Sequence, residues 1–171
     1  MNPRLLVVPA ALVACHTAQA FVYLSVEQAQ ALMFPGQILT PLPVVLSAPQ
    51  IAAIEKDCGV QVFPGSLSAW KADGGYFFTD SVIGKHDLIR YAVALGTDGK
   101  VREVEILEYR EAYGGEVRSS RWLHQFVGLH HGDAVKVGHG IQNISGATLS
   151  SEHLTDGIRR LLSIYATAIA P

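Results

Sequence analysis

Leu88-Ile89-Arg90-Tyr91-Ala92-Val93-Ala94-Leu95 and Val101-Arg102-Glu103-Val104-Glu105-Ile106-Leu107-Glu108-Tyr109 are two runs rich in branched and aromatic residues. Thr97-Asp98-Gly99-Lys100 lies between them. Asp-Gly between two such runs is a strong hairpin signal, so the pair reads as two antiparallel strands. Val101, Val104, Ile106 and Leu107 do not alternate cleanly, which predicts a bulge or burial on both faces.

Working toward the N-terminus, Ser66 to Ala72 and Gly75 to Ile83 read as two more strands around Asp73-Gly74-Gly75. Ser25 to Phe34 reads as a helix with Ser25 as its cap and Pro35-Gly36 as its stop. Ile38 to Leu46, rich in proline and β-branched residues, is expected to be extended. Ser47-Ala48-Pro49 opens a second helix that runs over Ile51, Ile54 and Glu55 to Cys58-Gly59. Toward the C-terminus, Trp122, Phe126 and Leu129 suggest a helix after Ser119-Ser120, and a loop follows from Gly132 to Ile144. From Ser151 onward Leu154, Ile158, Leu161, Leu162, Tyr165 and Ala168 keep the spacing of one helix face. Glu152, Asp156, Arg159, Arg160 and Ser163 fall opposite, and Ser150 or Ser151 is the expected cap. Helices flanking a run of antiparallel strands make an α+β domain. No Gly-x-Gly-x-x-Gly follows a strand, so a doubly wound dinucleotide fold is not indicated.

Between the loop and the last helix stand Ser145-Gly146-Ala147-Thr148-Leu149-Ser150-Ser151. Small residues surround one threonine just ahead of a helix. Backbone N–H groups of a first helical turn point outward, and the helix dipole favours an anion there. Gly146 can take backbone angles closed to other residues, and Ala147 adds little bulk. The residues alone therefore suit a bound or attached phosphate, or simply a tight turn with a serine cap.

The same stretch resembles the flavin-attachment motif of the FMN-binding domain family, as in the C subunit of sodium-pumping NADH:quinone reductase and the G subunit of Rnf complexes. The resemblance implies FMN as cofactor, esterified to Thr148, with Ser145, Gly146, Ala147, Leu149 and Ser150 shaping the phosphate pocket. Glu111 and Gly114 resemble the family's glutamate and glycine turn after a central strand. Phe126 and Gly128 match its Phe-x-Gly segment. The likeness spans Leu88 to the C-terminus. The family often has an aspartate three residues before the motif's serine; here that residue is the uncharged Gln142. From the residues alone, Glu111 is equally well a solvated turn residue or a partner of Arg110 or Arg118. Trp122, Tyr113 and Phe126 are candidates to stack on a flavin ring. The resemblance further implies a flavin transferase acting on FAD and a membrane-associated redox partner. It suggests an electron-transfer flavoprotein rather than a stand-alone enzyme. The competing reading is a non-redox binding module for a phosphate-bearing ligand or a partner protein.

Residues 1–20 read as a secretory signal: Arg4, an apolar stretch from Leu5 to Ala14, and Ala18-Gln19-Ala20 as cleavage site. Periplasmic export follows, with residues 21–171 as one domain. Leu12-Val13-Ala14-Cys15 also resembles a lipobox, which would anchor the chain by lipid on Cys15. Either route leaves Cys58 without an intramolecular partner, most simply as a small buried side chain. A net charge of −2 gives no footprint for nucleic acid. His124, His130, His131 and His139 fit no metal-ligand spacing and read as loop or surface residues.

Overall fold

The computed structural model describes residues 21–111 and 114–170. The predicted signal, Cys15 and Tyr113 lie outside the described residues.

Six strands form one antiparallel sheet in the order β1-β6-β5-β4-β3-β2. They are β1 (Phe21–Val22), β2 (Thr40–Leu42), β3 (Ser68–Ala72), β4 (Gly75–Ile83), β5 (Leu88–Gly96) and β6 (Val101–Tyr109). The β5–β6 pair is the hairpin expected from Asp98-Gly99. Its register slips between Arg90 and Tyr91 and between Ala94 and Leu95. Each slip leaves one β6 residue, Leu107 and Arg102, without an opposite number. That is why the apolar positions of β6 fail to alternate: pleating puts Leu107 on the opposite face from Ile106, and the two bulges shift the phase so that Val101 and Tyr109 share the face of Val104 and Ile106.

Each face of the sheet is covered. On one, α1 (Val26–Met33) lays Ala29, Met33 and the following Phe34 against Phe77, Ala92, Ala94 and Leu107. Ser25 caps α1 in a capping box with Gln28. On the other face, α4 (Thr148–Ile164) buries Leu154, Ile158, Leu161 and Leu162 against Phe78, Tyr91, Val93 and Ile106. The short α3 (Ser120–Leu123) and the 3-10 turn His124–Phe126 fill the rest of that layer. Helix α2 (Ala48–Cys58) starts on Ser47, ends on Gly59 in the left-handed conformation, and packs outside α4. Cys58 is buried at 7 % exposure, and burial pushes its thiol pKa up. The arrangement is the expected α+β one, with helices on an antiparallel sheet.

Two departures stand out. The segment after Ser119 gives less helix than Trp122, Phe126 and Leu129 suggest, because the helix tightens into 3-10 after four residues. The loop from Gly132 to Ile144 carries a small parallel pair, β7 (Lys136–Val137) and β8 (Gly140–Ile141), which tucks Ile141 into the core.

On α4, Arg160 and Ser163 are buried rather than outward. Arg160 Nη2 lies 2.6 Å from Asp80 Oδ2, and the Tyr91 hydroxyl donates to the same oxygen at 3.2 Å. The helix carries a buried ion pair on a face that its apolar periodicity marks as polar. Burial pushes Tyr91 well above the usual tyrosine pKa, and the Asp80 carboxylate adds to the rise.

Candidate functional site

Helix α4 begins at Thr148, earlier than its apolar periodicity implies. Its N-cap is Ala147, and no side chain caps it. The expected caps are used otherwise. Ser150 and Ser151 are buried inside the first turn, and Glu152 falls beyond it. The first helical bond runs from Ser151 N–H to Ala147 O at 2.9 Å. The N–H groups of Thr148, Leu149 and Ser150 precede it and find no acceptor within the helix.

An uncapped start costs a helix about 1 kcal/mol. Burying each of Leu154, Ile158, Leu161 and Leu162 returns about 1.5–3 kcal/mol. Packing therefore fixes α4 without a cap, and the helix end is left available to an anion.

The approach to that end is open. Ser145, Gly146, Thr148 and Leu149 are exposed, while Ala147 is buried beneath them. Gly146 has φ +85°, and nothing comes within 4 Å of where its Cβ would stand. The backbone turn is thus a glycine turn with room above it. The Thr148 hydroxyl accepts from Asn143 Nδ2 at 3.1 Å. The Ser151 hydroxyl lies 2.9 Å from Asn143 Oδ1 and from Ala147 O, and 3.0 Å from Thr148 O, three acceptors for its one proton. Asn143 is a site residue that the sequence reading passes over, since attention falls on its neighbour Gln142.

Gly114 comes to the motif from the other side, with φ +87°. A Cβ there would meet the Tyr109 hydroxyl at 2.7 Å, Ala147 Cβ at 3.1 Å and Ser150 Oγ at 3.3 Å. Tyr109 OH and Ser150 Oγ are themselves 3.3 Å apart, and burial raises the Tyr109 pKa.

Glu111 pairs with neither Arg110 nor Arg118. Its Oε1 accepts from the backbone of His86 at 2.5 Å and Asp87 at 3.0 Å. Arg110 pairs with Glu108, and Arg118 lies over the Tyr23 ring. Glu111 therefore holds the turn between β4 and β5. That turn is tied in turn to α4: His153 Nδ1 lies 2.6 Å from Ile83 O and 2.9 Å from Gly84 O. Both partners are carbonyls, so Nδ1 carries the proton.

A cleft of about 390 Å³ starts at Asn143 and Ile144 and runs over Glu116, Ser119, Arg121, Trp122, Gln125 and Gln142. Its size is that of a small-ligand site. Trp122 Nε1 donates to Gln142 O at 2.7 Å, and Gln142 N–H donates to Gln125 Oε1 at 2.9 Å. Gln142 thus works through its backbone, which sets one wall of the cleft. Of the aromatic candidates, Trp122 lines the cleft, whereas Phe126 is fully buried in the core and cannot face a ligand. A larger cleft of about 470 Å³ lies farther along α4, between Phe63, Ile83, Leu88 and Gly157. Only the first shares a residue, Asn143, with the hydrogen bonds of Thr148.

Among the described residues no three His, Cys, Asp or Glu side chains come together to hold an ion. His131 Nε2 lies 2.8 Å from Asp57, and His130 is engaged with Asp133.

The donors and the room fit FMN. Among the described residues the N–H groups of Thr148, Leu149 and Ser150 have no acceptor at the uncapped start of α4, Thr148 is exposed there, and a cleft with one indole wall stands beside them. When bound, FMN supplies one- and two-electron chemistry, and the protein supplies position and electrostatics. A search of curated proteins finds no match to the chain. Residues 84–163, from the β4–β5 turn through most of α4, match the FMN-binding domain family. The chain thus carries a domain of the FMN-binding domain family, and FMN is the cofactor it takes.

Proposed function

We propose that this flavin-binding protein carries its FMN covalently on Thr148 and relays electrons, after export, within a membrane-associated redox chain. One observation carries the reading. Thr148 offers an exposed hydroxyl at an uncapped helix start, beside a cleft wide enough for a ring. A flavin transferase acting on FAD is the partner that this chemistry requires. Thr148 Oγ attacks the FMN-side phosphorus, the Oγ–P bond forms, and the pyrophosphate P–O bond breaks with AMP leaving. The hydroxyl proton passes to the transferase or solvent. Thr148 is an acceptor here and not a catalytic residue. The amides of Thr148, Leu149 and Ser150 face the ester's charge, with Ser145, Gly146 and Ala147 forming the turn beneath it. A tether suits an exported carrier, because a dissociated flavin would be lost from it.

Co-expression with a flavin transferase, followed by intact-mass analysis, tests the reading. The expected result is one added FMN that survives unfolding and is absent in Thr148→Ala. Flavin that separates on denaturation makes the binding reversible and refutes the tether. Reconstitution with a membrane reductase, read as flavin reduction, tests the relay.

A further inference from the structure

We propose that Asn143 is the positioning residue that aims the Thr148 hydroxyl for esterification; this rests on the reading of Thr148 as the flavin anchor. Its amide is held between two hydroxyls of one helical face. Oδ1 lies 2.9 Å from Ser151 Oγ, whose one proton it shares with Ala147 O at 2.9 Å and Thr148 O at 3.0 Å, and Nδ2 donates to Thr148 Oγ1 at 3.1 Å. Ser151 is fully buried in the first turn of α4, so the fixed end of this clamp is rigid. Thr148 is exposed, so the other end is the one that would otherwise move.

An exposed threonine side chain divides between staggered rotamers, and at the first position of α4 no preceding helical turn fixes it. The Asn143 donor selects one of them. It occupies one lone pair of Oγ and directs the second lone pair and the hydroxyl proton toward the open side. In the esterification that second lone pair forms the bond to phosphorus. The proton leaves on the open side, and AMP departs with the electrons of the broken P–O bond. Asn143 moves no proton. Once the ester exists, the same N–H stands beside a negatively charged group, where a hydrogen bond is stronger.

Position 142, where the family often has an aspartate, does not supply this contact. Gln142 uses its backbone on Trp122 and Gln125, and its side chain is exposed. The polar contact to the acceptor comes instead from the next residue along.

The test is the initial rate of FMN addition to the purified full chain, with a flavin transferase, saturating FAD and a divalent metal, read by intact mass. Asn143→Ala is expected to slow addition about fivefold to tenfold, the range of one hydrogen bond. The apparent KM for FAD stays at the wild-type value, since Asn143 touches the acceptor and not the donor. Ser151→Ala slows addition less, and the double variant is no slower than Asn143→Ala alone, because Ser151 acts through Asn143. Asn143→Asp is nearly isosteric and guards against a folding defect in the alanine variant. Its protonated acid can donate to Thr148 and its carboxylate cannot. Its rate relative to wild type should therefore fall as pH rises through the carboxylate range. A purely structural role would leave that ratio flat. A flat or rising ratio, or an alanine variant as fast as wild type, overturns the assignment while leaving Thr148 as the anchor. A wild type that gains no flavin removes the anchor and this inference together.

Discussion

Gly114 and Ala147 stand so close that a methyl on Gly114 would come within 3.1 Å of Ala147 Cβ. That contact seats the loop after β6 against the start of α4. Gly114→Ala would add a left-handed alanine, at about 1–2 kcal/mol, to a clash with the Tyr109 hydroxyl at 2.7 Å. The Tyr109 side chain is packed into the core and has little room to yield. The expected result is a loss of about 2–3 kcal/mol in urea denaturation and a lower flavin content, with the start of α4 displaced. An unchanged midpoint would show that the loop relaxes and that the glycine is dispensable.

Removing the Asp80 carboxylate should damage the protein more than any change on the exposed motif. Arg160 is 3 % exposed and has Asp80 as its charged partner at 2.6 Å. Asp80→Ala leaves a guanidinium buried and unpaired, which costs about 3–5 kcal/mol. Tyr91→Phe deletes the hydroxyl that donates to Asp80 and leaves the ion pair in place, about 1 kcal/mol. Replacing the pair together, as Asp80→Leu with Arg160→Met, should recover most of the Asp80→Ala loss. Thermal unfolding of the three variants checks the order, and equal losses for Asp80→Ala and Tyr91→Phe would contradict it.

Much of this architecture is legible in the chain because local rules and packing agree. Asp98-Gly99 dictates the β5–β6 hairpin, Ser25 and Gln28 form a capping box at α1, and Gly59 stops α2. The start of α4 is harder to read because Ser150 and Ser151 look like caps. Packing buries both of them, and the helix instead starts uncapped at Thr148. Propensity favours the cap, but the apolar face that sets the helix axis is worth several times more. Arg160 misleads for a similar reason. Its charge marks a solvent face, and only the fold reveals Asp80, 80 residues away in sequence, beneath it. Asn143 gives no local signal at all, since its role depends on hydroxyls presented by the next helix turn.

Ser150→Ala separates the motif's packing from its chemistry. Ser150 Oγ has the Tyr109 hydroxyl at 3.3 Å and sits buried in the first turn of α4. The substitution leaves a buried phenol hydroxyl with one contact fewer, which costs about 1–2 kcal/mol. The Thr148 hydroxyl and the helix N–H groups are untouched. Urea denaturation should register the loss, while the intact-mass assay still finds one FMN per chain. Loss of the flavin in a folded Ser150→Ala protein would make Ser150 a direct cofactor contact.

Glu111 should give the protein a measurable dependence on acid. Burial alone would push its carboxyl up; the N–H groups of Asp87, His86 and Lys85 together outweigh that and hold it below the usual glutamate pKa. A carboxylate whose folded pKa is depressed stabilises the fold fully above its unfolded pKa, about 4.3, and ceases to do so as pH falls through the lowered folded value. Wild-type stability should therefore decline as acid is added below about pH 5. Glu111→Gln removes this contribution, so its decline should be shallower and its stability at neutral pH lower. Because Glu111 fixes the turn that His153 ties to α4, the variant should also loosen that helix. Hydrogen exchange at the His153 amide reads this directly, and wild-type protection there would confine the role of Glu111 to its own turn.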